Sequence, residues 1–519
     1  MGHTRHGGAA GTFDTTLSGG KISPIATALP KSTRSLCPEC LSVLPATLDA
    51  EDGRVVMRKA CPTHGPFADI VYSDSGMYLR MEQWYFGDGR GFSNPVQGFG
   101  GGCPEGCGIC GGHTGHTSLA NVDLTSRCNL SCHVCFADAN RYPYELSFEQ
   151  ALETLRRLRG QRPAPSFAVQ FTGGEPTLHP RFLDILSAAR DLGFSHIQVA
   201  TNGLRFADPD FARRTRDAGL QYLYLQMDGV TDDVFVRFRG KALLEEKLKA
   251  IESARKAGLR VVFVPTIARG VNEHQIGDLY RLAFEHLDVV SGMSFQPLTF
   301  TGRSPETERL RLRFTLSDLA REFSAQTGVT RPVDDWFPLN SAVPFVRFAG
   351  AVTGTTPVNH ACHPHCGLMS LLFVDSRRNA VPVTRFLDLL GLLKKLDGLA
   401  ETVGKGKGKT LSRIHLLQAF HRFFDGKSAP EGLTFYRFLK TLDGFADKKY
   451  TWEERYRGYT YKTFYVLGMH FMDAYNFDLE RVSRCGVHYS APDGKIYPFC
   501  TYNSGPVFRR RVEKGIAGT

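Results

Sequence analysis

Between residues 119 and 305, short apolar runs alternate with amphipathic segments. Leu244, Leu248 and Ile251 recur at helical spacing, and Glu245 can pair with Lys249 four residues further on. The alternation predicts a partial (β/α)6 barrel of parallel strands with right-handed crossovers. The predicted strands are Leu119–Leu124, Phe167–Phe171, His196–Ala200, Tyr222–Met227, Val261–Thr266 and Gly292–Phe295. The predicted helices are Phe148–Leu158, Pro180–Leu192, Pro209–Ala218, Ala242–Ala257 and Glu273–His286.

The segments on either side of this region lack the same regularity. Residues 1–33 are rich in Gly, Ser, Thr and Pro, which predicts a flexible arm. Residues 306–480 are expected to be mostly helical, with an exposed loop at the Lys/Gly run Gly404–Lys409. Strand and turn signals return at Cys485–Phe508. The predicted domains are 1–33, 34–90, 91–118, 119–305 and 306–519.

Composition and charge narrow the class of protein. Of the 519 residues, 42% are hydrophobic and 22% charged, as in a soluble globular protein. The net charge of +11 comes from scattered Lys and Arg, so we expect no nucleic-acid partner, although peripheral contact with an anionic membrane stays open. No secretory signal and no run of about 18 apolar residues is visible. The 13 Cys are odd in number and bunched at metal-binding spacings, which predicts metal ligation in a reducing cytoplasm.

The strongest motif is DLTSRCNLSCHVCF at residues 123–136. We call Cys128, Cys132 and Cys135 the barrel triad; it follows the first predicted strand, and strand ends are where barrels place reactive groups. Three thiolates can hold three irons of a [4Fe–4S] cluster and leave the fourth open to S-adenosylmethionine. A zinc loop is the alternative, but its only nearby extra ligand, His133, lies between two of the cysteines.

Polar side chains follow the successive predicted strands, and because parallel strands end at one edge we expect them to face one barrel mouth. Turn formation alone explains Asn202–Gly203 and Asp228–Gly229 individually, but the set as a whole favours a site. For Glu175 a capping role stays open beside a binding role, and Gly173 and Gly174 would allow close backbone approach to a ligand. The candidate cofactor-binding residues are Phe136, Thr172, Gly173, Gly174, Glu175, Pro176, Thr201, Asn202, Gln226, Asp228, Thr266 and Gln296.

Two further cysteine groups predict auxiliary iron–sulfur sites. The loop triad, Cys103, Cys107 and Cys110, repeats the CxxxCxxC spacing in a Gly-rich loop ahead of the barrel. Four Cys remain, so seven are left for two auxiliary clusters; either His363 or His365 completes one set or one iron stays open. How these cysteines divide between the two clusters is not predicted, and an ordinary buried thiol is the alternative for Cys485 or Cys500. The remaining four are Cys362, Cys366, Cys485 and Cys500.

The N-terminal segment carries CPEC and, 20 residues later, CPTH. Cys37, Cys40, Cys61 and His64 have the spacing of a zinc ribbon, with a rubredoxin-like iron site as the competitor. A closed four-ligand site is more often structural than catalytic.

Taken together, these motifs resemble the radical S-adenosylmethionine superfamily. Phe136 after the last cysteine and TGGEPTLHP at 172–180 match its pattern. The order of the N-terminal CPxC…CPxHG, the loop triad, CNLSCHVCFAD and the late CGVHYSAPDGKIYPFCTYN resembles the family of tetraether lipid synthases and class D radical methyltransferases. The resemblance implies three [4Fe–4S] clusters, one Zn or Fe ion, and a reductant such as ferredoxin or flavodoxin.

Three functions follow from this resemblance and from the residues. The first is C–C bond formation on a lipid chain, with the Phe- and Leu-rich C-terminal half holding the tail. The second is methylation or other radical modification of a pterin-type or other polar small molecule. The third, from a different class, is a non-catalytic iron–sulfur sensor, which would leave GGEP and the strand-end residues unexplained. A long apolar tunnel would favour the lipid, and a short polar pocket the small molecule.

Overall fold

The computed structural model describes residues 25–87, 89, 91–95, 103–353, 361–404, 418, 420–438, 462–504 and 507–517. Most of the predicted N-terminal arm and the run Lys405–Lys409 lie outside these residues. Among the described residues, no helix combines the length and apolar character needed to cross a membrane.

The first unit is an antiparallel sheet in which four strands follow one another in order. Alternate positions of its strands are buried, so one face packs on the rest of the protein. A helix, Ser75–Glu82, follows, with Asp74 accepting from the Met77 amide at its start. The strands are β1 Lys31–Leu36, β2 Val43–Glu51, β3 Arg54–Cys61 and β4 Gly65–Tyr72.

The second unit is a large sheet whose centre is the predicted parallel barrel. All six predicted strands form, and Val261–Thr266 is divided into two strands. The strand order β11-β9-β8-β7-β6-β5, with parallel neighbours throughout, confirms the partial (β/α)6 barrel. These strands are β5 Leu119–Thr125, β6 Ala168–Gly173, β7 His196–Thr201, β8 Tyr222–Gln226, β9 Arg260–Val264, β10 Thr266–Ile267 and β11 Val290–Pro297.

Amphipathic helices cover the outer face of this sheet. The first begins at a capping box in which Ser147 and Gln150 bond each other's backbone amides. The five predicted helices form, and a sixth, Asp232–Arg239, was not predicted. The helices are Phe148–Arg159, Phe182–Asp191, Pro209–Ala218, Asp232–Arg239, Leu244–Ala257 and Ile276–Glu285.

The region after residue 305 differs from the prediction in its first part. Residues 306–480, expected to be mostly helical, also add strands to one edge of the barrel sheet; the strand signals at Cys485–Phe508 correspond to β16 and β17 at the other edge. β15 runs parallel to β11, and β13 pairs antiparallel with β15; at the other edge, β16 runs parallel to β5. Apolar runs such as Gly367–Val374 give no periodicity that separates a buried strand from a buried helix, which is why a mostly helical region was expected. The strands are β12 Phe337–Pro338, β13 Gly367–Val374, β14 Ala380–Pro382, β15 Lys462–Met469, β16 Val487–Ser490 and β17 Ile496–Pro498.

The helices of this region pack in two places. One group has its own apolar core, which includes Phe386, Leu396 and Phe438. The last two helices cover the C-terminal edge of the barrel and contribute to its mouth. The helices are Arg309–Leu312, Leu316–Thr327, Val343–Thr353, Leu389–Gly404, Leu479–Ser483, Phe499–Ser504 and Val507–Ala517.

Candidate active site

A cavity of about 570 Å³ opens inside the barrel, and all three sulfurs of the barrel triad belong to residues that line it. Its wall also carries most of the predicted cofactor-binding residues. Two of them are not on the wall: Asp228, which is fully buried behind it, and Pro176, which starts a short helical turn. The predicted residues on the wall, besides the triad, are Phe136, Thr172, Gly173, Gly174, Glu175, Thr201, Asn202, Gln226, Thr266 and Gln296.

The loop that carries the barrel triad is anchored by two side chains that sequence reasoning missed. Asn140 accepts from the Cys128 amide at 2.8 Å and donates to the Cys128 carbonyl at 3.1 Å. Arg239 donates to the Val134 carbonyl at 3.0 Å and to both oxygens of Asp228. Asn140 lies just after the motif but outside its pattern, and Arg239 lies on the helix that was not predicted.

Asp228 therefore supports the site from behind. Its carboxylate accepts from Arg239 at 2.7 and 2.8 Å and from the Thr266 amide at 3.0 Å. Arg239 also donates to Thr266 Oγ1 at 3.0 Å. This buried ion pair joins the ends of β8 and β9 to the cysteine loop.

Glu175 has the capping role that the sequence left open. Its fully buried carboxylate accepts from Thr177 Oγ1, Thr201 Oγ1 and the Asn202 amide at 2.6, 2.9 and 2.8 Å. Burial raises the pKa of this carboxyl above its ordinary value, and these hydrogen bonds act in the opposite direction. Glu175 thus ties the end of β6 to the end of β7.

The two glycines of the GGEP element are required by the protein's own backbone. Gly173 has φ +133°, and a Cβ there would lie 2.2 Å from the Thr125 carbonyl oxygen. A Cβ on Gly174 would lie 2.3 Å from the Arg127 carbonyl oxygen. The sequence predicted close approach of the backbone to a ligand. The observed close approach is to the backbone at the start of the cysteine loop, where the Thr125 carbonyl accepts from the Gly174 amide at 2.8 Å.

Burial affects two thiols of the barrel triad. Burial raises the pKa of Cys128 to about 12 and also raises that of Cys132, where Arg239 acts in the opposite direction. A soft metal that takes up the thiolates would release these protons. His133 is turned toward the Arg237 carbonyl, 3.1 Å from its Nδ1, so it does not complete a zinc site.

The remaining cysteines fall into two groups that the sequence did not separate. The pKa of Cys107 is raised to about 12, first by burial and then by neighbouring Cys103 and Cys110, so the loop triad lies together. The pKa of Cys362 is raised by burial and then by Cys366 and Cys485.

Cys500 joins the second group, because Cys366 also raises its pKa, after burial. We call Cys362, Cys366, Cys485 and Cys500 the cysteine tetrad. His365 lies beside this tetrad but stacks on Tyr78 at 3.6 Å, and His363 lies 3.9 Å from Glu480.

The N-terminal site has the geometry of a mononuclear metal centre. The ligand atoms of Cys37, Cys40, Cys61 and His64 all lie within 4.8 Å of one another. His64 Nδ1 is 3.6 Å from the Cys37 sulfur and 3.4 Å from the Cys61 sulfur. Three thiols and one imidazole at these separations fit tetrahedral Zn²⁺.

Comparisons with known proteins agree with this geometry. Residues 122–283 match the model of the radical SAM superfamily, and residues 29–73 match that of the HMPTM N-terminal zinc ribbon domain. The 7,8-dihydro-6-hydroxymethylpterin dimethyltransferase of Methanocaldococcus jannaschii is 38% identical over 491 residues, 93% of this chain and 95% of that protein. The chain belongs to the radical SAM superfamily. It is therefore an enzyme of radical chemistry that uses a [4Fe–4S] cluster and S-adenosylmethionine.

Two further matches cover smaller parts of this chain. The GTP 3',8-cyclase of Parasynechococcus marenigrum is 30% identical over 246 residues, 42% of this chain and 70% of that protein. The crystal structure of Streptococcus suis SuiB bound to S-adenosylmethionine covers 41% of this chain and 44% of its own, with TM-score 0.34 and 14% identity.

Proposed function

We propose that this radical SAM enzyme methylates a pterin-type substrate in the barrel cavity. The observation that carries the proposal is the chain of hydrogen-bonded amides in the depth of the cavity, on β5, β6 and β7. Gln170 donates to Asn121 at 2.7 Å, Gln198 donates to Gln170, and His196 lies 2.7 Å from Gln198. Amides that hold one another in place provide fixed donors and acceptors for a polar ring, whereas an alkyl chain would offer them none.

Aromatic side chains supply the complementary apolar surface. Phe471 and Phe499 stack with their ring centroids 3.9 Å apart, and Phe136 lies 5.8 Å from Phe499. All three line the cavity. Flat rings on one wall and amides on another suit a planar heteroaromatic substrate. The 38% identity to a pterin dimethyltransferase over nearly the whole chain supports the same substrate class, and the matches give no support to the lipid function.

The assignment of the metal groups is part of this proposal. When bound to the barrel triad, the cluster and S-adenosylmethionine supply the radical that removes hydrogen from an unactivated carbon. Strand-end residues Gln226, Thr266 and Gln296 hold the cofactor, while the buried wall excludes water. The loop triad and the cysteine tetrad each hold an auxiliary [4Fe–4S] cluster, and the N-terminal site holds zinc. The tetrad has four thiolates and the loop triad three, which leaves one iron of the latter without a cysteine ligand.

Anaerobic reconstitution of the full chain tests the function. With reductant, S-adenosylmethionine, a one-carbon donor and 7,8-dihydro-6-hydroxymethylpterin, we expect formation of 5′-deoxyadenosine to depend on the pterin, together with methylated pterin in the mass spectrum. The same assay with archaeal-type glycerol lipids is the competing arm. Turnover of the lipid and not of the pterin would contradict the proposal; absence of 5′-deoxyadenosine in both arms, with all clusters loaded, would contradict any radical function.

A further inference from the structure

A lysine is fully buried directly behind the wall of the barrel cavity. Lys247 lies on the helix Leu244–Ala257, and its ammonium reaches the ends of β7 and β8. Full burial is rare for lysine, because the ammonium must give up its water shell. Nothing in the sequence motifs pointed to this residue.

The ammonium is bound by uncharged groups. Nζ donates to the Asn202 carbonyl and lies 3.4 Å from Gln226 Oε1. The nearby Asp228 carboxylate is paired with Arg239. Burial lowers the pKa of Lys247 to about 8, although Asp228 acts in the opposite direction. A buried charge that is held by neutral groups contributes little to stability, so its presence here points to a role in the site.

Both partners of the lysine belong to the cavity wall. Asn202 follows β7, and its side chain donates to Asn129 of the cysteine loop at 2.7 Å. Gln226 ends β8 and is half-buried, so part of its side chain is accessible. Lys247 therefore lies one residue behind two positions that a bound cofactor can reach.

The lysine determines which end of the Gln226 amide faces the helix. A protonated amine carries three donors and no acceptor, so the atom that it meets must be the amide oxygen. The reverse orientation would bring the amide NH2 group against the ammonium, donor against donor. With Oε1 held on the side of Lys247, the N–H donors of Gln226 are set on a different edge of the amide.

We propose that Lys247 is a positioning residue for S-adenosylmethionine, which holds the oxygen of the Gln226 amide so that an N–H of this amide meets an acceptor oxygen of the cofactor. This inference rests on the assignment of Gln226 to the cofactor in the proposed function, and it adds the residue that acts behind it. The carboxylate and ribose oxygens of S-adenosylmethionine are suitable acceptors. An amide that could rotate would lose part of this affinity, because its orientation would have to be fixed on binding.

A double-mutant cycle tests the inference on the full chain, with its clusters reconstituted anaerobically and kept oxidised so that S-adenosylmethionine is not cleaved. The variants are Lys247→Met, Gln226→Ala and the two combined. Lys249→Met, an exposed position of the same helix, is the matched control. Equilibrium dialysis of labelled S-adenosylmethionine at pH 7, below the pKa of Lys247, gives the dissociation constant. Iron analysis and melting curves accompany each variant.

We expect each single variant to bind S-adenosylmethionine more weakly, on the order of 10-fold. The double variant should bind no more weakly than Gln226→Ala, because the lysine acts through the glutamine. Lys247→Met should keep its iron and melt within a few degrees of wild type, since removal of a buried charge offsets loss of the hydrogen bond to Asn202. Lys249→Met should match wild type in every measurement.

A further variant covers the case in which Lys247→Met folds poorly. Gln226→Glu keeps an oxygen for the lysine and adds an ion pair, but it removes the N–H donors. Its melting temperature should be at least that of wild type, whereas its affinity for S-adenosylmethionine should fall as in Gln226→Ala. Wild-type affinity in Gln226→Glu would overturn the inference, because no N–H would be needed.

The other outcomes separate this inference from the proposed function. Additive losses in the double variant would overturn it, because Lys247 would then act independently of Gln226. Wild-type affinity in Lys247→Met would overturn it and leave Gln226 as a cofactor residue. Wild-type affinity in Gln226→Ala would overturn the assignment of Gln226 and this inference together. The expected cycle in a protein that does not methylate the pterin would support the inference while contradicting the proposed substrate.

Discussion

The loop triad and the barrel triad have the same CxxxCxxC spacing but different surroundings. The barrel triad follows β5 and lines the large cavity, beside Glu175 and Gln226. The loop triad precedes β5, and its Cys103 and Cys107 pack against an apolar cluster that includes Tyr497 and Phe499. The spacing sets which sulfurs can share a cluster, whereas the neighbouring strand ends determine whether a cofactor has space beside it.

A second difference is how each loop is supported. The barrel loop is held by Arg239, by Asn140 and by backbone contacts across Gly174. The segment after the loop triad is held by contacts with the C-terminal region: the Thr114 amide donates to the Ser483 carbonyl at 2.8 Å. We infer that the barrel triad is built for access by small molecules and the loop triad for joining distant parts of the chain.

The largest expected effect comes from removing one cysteine of each triad. Cys132→Ala should reduce formation of 5′-deoxyadenosine on the order of 100-fold or more, because the cluster beside the cavity loses a ligand. Cys107→Ala should lower the iron content by about four per chain while leaving reductive cleavage of S-adenosylmethionine within about threefold. Iron analysis and chromatography of the reaction provide the measurements. If Cys107→Ala abolished cleavage while the barrel cluster kept its electron paramagnetic resonance signal, the distinction between the triads would fail.

The next effect concerns the support of the barrel loop. Arg239→Met would leave the fully buried Asp228 carboxylate without its ion-pair partner, and the loss of stability should be about 3–5 kcal/mol. We expect a lower melting temperature and incomplete loading of the barrel cluster. Arg237→Met, an exposed position on the same helix, is the control. Identical melting curves for the two variants would show that the ion pair does not hold the loop.

The sequence predicted the parts of this site that depend on local pattern. The six strands, the barrel triad and residues such as Gln226 and Gln296 follow from periodicity and from what comes after each strand. Arg239 and Lys247 could not be found in this way, because each reaches the site from a helix and follows no strand end. The edge strands within residues 306–480 were missed for a related reason: Lys462–Met469 is a strand because β11 and β13 provide partners on both sides.

A smaller effect is expected at Glu175. Glu175→Gln keeps the shape but replaces one acceptor oxygen by an amide that faces a donor, which should loosen the junction of β6 and β7. We expect affinity for S-adenosylmethionine to fall about 10-fold while the iron content stays unchanged. Asp375→Asn is the control, since that carboxylate caps a remote turn by accepting from Arg377 and Asn379. Equal affinity in both variants would show that the Glu175 hydrogen bonds do not shape the cofactor site.

The smallest expected effect is a pH dependence of folding stability. It arises from Glu513, on the C-terminal helix Val507–Ala517. Burial raises the pKa of Glu513 from 4.5 to about 7, although Arg509 acts in the opposite direction. The folded protein therefore binds a proton that the unfolded chain releases, and stability should fall as the pH rises from about 4.5 to about 7. The contribution is at most about 1.4 kcal/mol per pH unit.

Glu513→Gln should flatten the decline of melting temperature with pH over this interval. Cys107→Ala leaves Glu513 and Arg509 in place, so it should keep the wild-type slope. A flattened slope in Cys107→Ala, or an unchanged one in Glu513→Gln, would show that the pH dependence arises elsewhere.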